Sequence, residues 1–185
     1  MKRLFLALAA ISVMAACTRN PDVLPPEQLA PLAYRSSAAP SLKLYTVVNR
    51  RTNSGAHTAL AVTGSETVLF DPAGGFEAQD IVRSGDVVYG FSPAVDRAFT
   101  SAHARTEFLV TTQTIPVSPQ VAEMALQMVK ANGPVAAAHC AASTSSILKS
   151  LPGFESIEQT YYPKKLEEQL VNFPGVQGQT FIEND

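Results

Sequence analysis

Residues 57–71 read HTALAVTGSETVLFD, and this stretch decides the fold. Two short apolar runs, His57 to Val62 and Thr67 to Phe70, flank Gly64 and Ser65. Apolar, β-branched runs around a Gly-Ser turn signal make a β-hairpin. In a hairpin the start of one strand lies opposite the end of the other, so His57 is expected within about one residue of direct pairing with Asp71. A carboxylate beside an imidazole fixes its tautomer and stabilises its charged form. Asp71 also has an ordinary use, because Asp-Pro commonly opens a turn and DPAGG follows at 71–75.

Working outward, residues 42–48 alternate around Leu42, Leu44 and Thr46 and predict a strand before the hairpin. Residues 87–91 predict a fourth strand and 107–112 a fifth, with a short helix opening at Pro93 and running to His103 between them. Ser118 and Pro119 then start a helix as N-cap and first helical residue. Val121, Met124, Ala125 and Met128 give that helix one buried face, and the run Asn132-Gly133-Pro134 stops it. A further helix is expected from Cys140 to about Ser150, and a last one from Pro163 with Leu166, Leu170 and Phe173 on one face. The predicted class is α+β, an antiparallel sheet with helices packed on one side.

Before this body come two segments of different character. Lys2 and Arg3, the apolar run 4–13 and the sequence MAAC at 14–17 read as a lipoprotein signal, with residues 1–16 removed and Cys17 taking the lipid. The apolar run is too short to span a bilayer. Residues 17–41 are rich in Pro, Ala and Ser and read as a lipidated tether, leaving 42–185 as the domain. Leu24, Leu29, Leu32 and Tyr34 give part of the tether a means of lying against that domain. By Gram-negative sorting rules, Thr18 after the cysteine places the protein on the outer membrane, facing the periplasm.

The chain has two cysteines, so Cys140 has no intramolecular disulfide partner once Cys17 is lipidated. A leftover cysteine in an oxidising compartment is a reactive thiol, an intermolecular bond or a buried core residue. At a helix N-terminus, partial positive charge favours its thiolate, and free N–H groups can hold an oxyanion. A catalytic cysteine needs a base, and the histidines are His57, His103 and His139. His139 adjoins Cys140, and on a helix adjacent side chains diverge by about 100°. His103 lies in an Ala-rich stretch before a strand. His57 starts a strand at a sheet edge.

Charged residues make up 16% and apolar residues 46%, which fits a compact body rather than a disordered chain. The net charge of −2, with no basic stripe, argues against a nucleic-acid partner. Three scattered histidines and one thiol give no recognisable zinc spacing, and the expected chemistry needs no metal or cofactor.

The motifs HTALAV (57–62), VLFDPAGG (68–75) and HCAASTSSIL (139–148) together resemble the circularly permuted papain-like superfamily. These are permuted relatives of NlpC-type cell-wall peptidases and include YiiX/YaeF-type bacterial proteins and relatives of lecithin retinol acyltransferase. The resemblance spans about residues 43–173. It rests on the histidine strand preceding the cysteine helix, and YaeF-type members are similar in their lipoprotein signal too. It implies a papain-like sheet packed against the cysteine helix, with Cys140 as nucleophile, His57 as base and Asp71 at or near the variable third polar position. It also implies acyl-transfer chemistry, since the family holds amidases, peptidases, thioesterases and acyltransferases. The expected protein is thus a lipid-anchored envelope cysteine hydrolase or acyltransferase, acting on a peptidoglycan peptide amide or a lipid ester. The other reading is a non-catalytic envelope lipoprotein that binds a partner, with Cys140 inert in the core. The sequence leaves the oligomeric state open.

The lipid anchor is directly testable. Cys17→Ser is expected to abolish incorporation of labelled fatty acid and to leave the precursor unprocessed. Normal labelling and membrane retention in that variant would refute the anchor.

Overall fold

The computed structural model describes residues 23–79 and 81–183. Cys17, the segment read as a signal peptide and the first residues of the tether lie outside the described residues. Among the described residues, seven antiparallel strands form one sheet: β1 (Ser41–Asn49), β2 (Gly55–Thr63), β3 (Thr67–Phe70), β4 (Val82–Ser84), β5 (Val87–Tyr89), β6 (Phe108–Pro116) and β7 (Gln177–Phe181). Their spatial order is β4-β5-β3-β2-β1-β6-β7, so the hairpin strand bearing His57 is central. Five α-helices accompany them among the described residues: α1 (Pro26–Leu29), α2 (Pro93–His103), α3 (Pro119–Ala131), α4 (Cys140–Lys149) and α5 (Pro163–Leu170). The class is α+β. Among the described residues, no helix is long and apolar enough to cross a membrane.

Strand β1 is buried on both faces, and its alternation sorts side chains between two cores. Leu42 and Leu44 join Leu60, Val62, Val68 and Phe70 on the face covered by α3, α4 and α5. Tyr45 and Val47 join Ala59, Ala61 and Leu69 on the other face, under Phe99 of α2. The helices therefore do not all pack on one side, as the sequence led us to expect. Phe99, fully buried, meets Tyr45 edge-on at 5.1 Å and Phe76 at 5.2 Å, and these aromatics fix α2 on its own side.

Two strands escaped the sequence reading. β4, Val-Arg-Ser, is only three residues long, and β7, Gln-Gly-Gln-Thr-Phe, is an exposed edge strand with little apolar content. β6 runs on to Pro116, beyond the expected end at 112. The last helix stops at Leu170, and Phe173 beyond it stacks on Phe154 at 4.8 Å. Part of the stretch read as a tether is ordered. Leu29 and Leu32 pack against the core, Leu24 N–H donates to Ser84 Oγ at 2.8 Å, and Tyr34 bridges to Thr67.

The helix starts follow their caps. Ser92 Oγ accepts from Val95 N–H ahead of α2, and Ser118 Oγ accepts from Val121 N–H ahead of α3, each followed by proline. The N-terminus of α4 has no side-chain cap, which leaves its first amides to other partners.

Candidate active site

The β2–β3 turn sets which side chains can meet. Thr63 pairs with Thr67, so three residues, Gly64 to Glu66, form the loop. Glu123 of α3 clasps it, its carboxylate accepting from Ser65 N–H and Ser65 Oγ. The ladder runs to Leu60 opposite Phe70, and its extension places Asp71 opposite Ala59, two residues from His57. The expected offset was one. The difference matters, because an even offset puts both side chains on the same face, whereas an odd one separates them. His57 Nε2 and Asp71 Oδ1 lie 2.7 Å apart.

Asp71 has no exposure, so its charge depends on partners. Arg83 of β4 supplies the second: its guanidinium donates to Asp71 Oδ2 at 2.7 Å and to the Asp71 carbonyl at 2.8 Å. Gly74 is required beside it, since a Cβ there would fall 2.1 Å from Asp71 Oδ2. Burial pushes the Asp71 carboxyl up, but the His57 and Arg83 contacts outweigh it and hold the pKa below the ordinary 3.8.

β3 ends at Phe70, so residues 55–59 of β2 have no strand partner on that side. The N-terminus of α4 comes to this open edge. Cys140 is 6% exposed; its sulfur accepts from the Thr58 and Ala141 backbone N–H groups and hydrogen-bonds His57. With Nε2 turned to Asp71, Nδ1 is left for the sulfur. Burial raises the thiol's pKa, but the His57 hydrogen bond and charge, with the two amides, bring it below its ordinary 9.0. Burial likewise works to lower His57, and the Asp71 and Cys140 contacts overcome it, raising the imidazole from 6.5 to about 9. The two shifts run in opposite directions, toward a thiolate on Cys140 and an imidazolium on His57, with Asp71 ionised behind them.

The other histidines are elsewhere in role. His103 of α2 lies nearly parallel to His57, ring centroids 6.0 Å apart, and its Nδ1 donates to the Phe99 carbonyl at 2.8 Å. Burial and the His57 charge push its pKa below 6.5. His139 is exposed; its Nδ1 donates to the Ala137 carbonyl, and its ring meets Tyr161 edge-on at 5.3 Å. Arg83 and Gly74 were not identified from the sequence. Arg83 sits on a strand too short to show a period, and Gly74 looks like any turn glycine.

Among the described residues no group of three or more His, Cys, Asp or Glu side chains could hold a metal ion. A cavity of about 620 Å³ between the Val23–Ala30 segment, Tyr89 and Lys130 includes none of Cys140, His57 and Asp71. Comparison of the chain with family models, curated proteins and solved structures finds no match.

The paired shifts fix a pH signature. His57, raised from 6.5 to about 9, alone would contribute stability that is full below pH 6.5 and lost as pH rises through about 9. Cys140, lowered from 9.0, alone would contribute stability present above pH 9 and lost as pH falls through its folded value. Above the folded pKa of Cys140 and below about 9 the folded pair keeps one proton, on His57, and above 6.5 the unfolded pair keeps one, on Cys140, so across that window the pair adds no slope. Cys140→Ala removes the compensation. Chemical denaturation across this window is expected to show a flat contribution in the wild type. In Cys140→Ala, stability should fall with rising pH by up to about 1.4 kcal/mol per unit. Parallel profiles for the two proteins would contradict the ion pair.

Proposed function

We propose that this chain is a lipid-anchored cysteine hydrolase or acyltransferase that opens an amide or ester bond through Cys140, His57 and Asp71. The observation that carries the reading is the hydrogen-bonded chain Cys140–His57–Asp71 at the uncapped N-terminus of α4. An inert core cysteine gains nothing from an imidazole whose far nitrogen is held by a buried carboxylate. The same three groups have a direct use in nucleophilic catalysis.

In this reading Cys140 Sγ attacks the substrate carbonyl carbon as the thiolate. The first-turn amide of Cys140 has no intrahelical acceptor and donates to the developing oxyanion. His57 then gives its Nδ1 proton to the departing amine or alkoxide, and a thioester remains on Cys140. Neutral His57 next takes a proton from water or an acceptor nucleophile, which attacks the thioester and releases Cys140 as thiolate. Asp71 keeps Nε2–H directed at itself throughout, and Arg83 keeps Asp71 ionised.

The order of histidine strand before cysteine helix is similar to that of the permuted papain-like superfamily, and the antiparallel sheet with a cysteine-bearing helix at its open edge is compatible with that fold. On this reading the substrate is a peptidoglycan peptide amide or a lipid ester, both within reach of a domain anchored through Cys17 on the outer membrane. The site chemistry serves either bond.

Native alkylation tests the assignment without a known substrate. Iodoacetamide is expected to modify Cys140 rapidly at about pH 6–7 in the folded protein, well below an unperturbed thiol's range near 8.5. His57→Ala should slow it at least about tenfold at pH 6.5, because the hydrogen bond and charge that lower the thiol's pKa are lost. Asp71→Asn should have a smaller effect. A Cys140 that reacts only after denaturant is added would instead favour a partner-binding lipoprotein with an inert core cysteine.

A further inference from the structure

The Cys140 nucleophile is delivered by a loop held by a few contacts, among them Val135 packed against the core and the His139 ring against Tyr161. Residues 133–139 run Gly-Pro-Val-Ala-Ala-Ala-His, and residues 136–139 are exposed. Ala138 adopts φ 64°, a left-handed conformation that is uncommon for a residue with a Cβ. Within the loop, His139 N–H donates to the Ala136 carbonyl and His139 Nδ1 to the Ala137 carbonyl, which shape it but do not attach it to the sheet. A hydrogen-bonded attachment to the sheet comes from the β4–β5 turn. Val135 N–H donates to Asp86 Oδ2 at 2.8 Å.

The same carboxylate reaches the other half of the site. Asp86 Oδ2 also accepts from Ala73 N–H at 2.9 Å, in the turn that follows Asp71, and Ala73 is itself held at φ 56°. Asp86 Oδ1 accepts from Arg83, whose guanidinium grips Asp71. The Asp86 carbonyl accepts from Asp71 N–H at 2.8 Å. One residue therefore ties the loop five residues before the nucleophile to the turn bearing the orienting carboxylate and to that carboxylate's arginine. Its side chain is 9% exposed, so these bonds are largely sheltered from water.

We infer that Asp86 is a positioning residue that holds the Cys140 loop and the Asp71 turn in register, so that the sulfur meets His57. It touches none of the reacting groups and acts through Val135, Ala73 and Arg83. A charged acceptor is needed because three donors converge on one carboxylate, and an amide would turn an N–H toward at least one of them. This inference rests on the catalytic reading of Cys140 and names a further residue on which that site depends.

The test uses the full chain and two measurements. Asp86→Asn keeps the shape and removes an acceptor. If it folds, as judged by circular dichroism and a cooperative melt, its iodoacetamide profile against pH should move toward that of an ordinary thiol, with the rate at pH 6.5 at least about tenfold below wild type. A folded Asp86→Asn whose pH profile superimposes on wild type overturns the inference. The second measurement needs no variant: amide hydrogen exchange in the wild type should show Val135 and Ala73 protected like sheet amides. Exchange of Val135 at the rate of an exposed loop overturns the inference even if Asp86→Asn does not fold. Wild-type Cys140 that is unreactive at every pH while Val135 is protected overturns the catalytic reading instead, and leaves Asp86 as a structural tie alone.

Discussion

A carboxylate with no exposure to water is the constraint around which this molecule is arranged. Asp71 is fully buried at the end of β3, and an isolated charge there would be strongly disfavoured. It remains ionised because Arg83 and His57 each meet one of its oxygens at 2.7 Å. Those two contacts have different consequences. The arginine is permanently charged and neutralises the site at every relevant pH. The histidine is free to exchange a proton, so the buried charge is converted into a raised basicity at a ring whose other nitrogen faces a thiol. Arg83 and the β4–β5 turn thus set the charge state of the carboxylate, and the carboxylate sets that of the imidazole.

The sheet contributes the geometry. Because β3 stops at Phe70, the first half of β2 has an open edge, and α4 begins there with no side-chain cap on its first-turn amides. A longer β3 would have filled that edge with a ladder and excluded Cys140. The three-residue loop at 64–66 matters equally, since a two-residue loop would have shifted the register by one and turned Asp71 away from His57. Glu123, reaching from α3 to Ser65, ties that loop to the helical layer. Residues distant from the thiol thus decide whether the three side chains meet.

Much of this was legible in the chain before any coordinates. Gly64 and Ser65 between two β-branched runs specify a hairpin, and a hairpin brings His57 toward Asp71 whatever lies around it. Ser118-Pro119 and Pro163 likewise marked helix starts, because capping and proline geometry are local. What escaped was non-local. Val-Arg-Ser has too few residues to show a period, so nothing in the spacing singled out Arg83 or Asp86. β7 is a polar edge strand whose pairing with β6 has no signature of its own. That α2 lies across the sheet from α3, α4 and α5 depends on Phe99 finding Tyr45 and Phe76, which no spacing within α2 encodes. The even offset between His57 and Asp71 rested on a single loop residue, Glu66, that turn composition does not fix.

The charge state of His57 is the centre of the account, and nitrogen NMR of its imidazole reads that state directly. The expected result is an imidazolium with both ring nitrogens protonated at pH 7.5, losing its proton only near pH 9. Cys140→Ala should lower that titration without returning it to the ordinary 6.5, because Asp71 remains. A neutral His57 at pH 7.5, titrating near 6.5 and indifferent to the loss of Cys140, would contradict the thiolate–imidazolium pair.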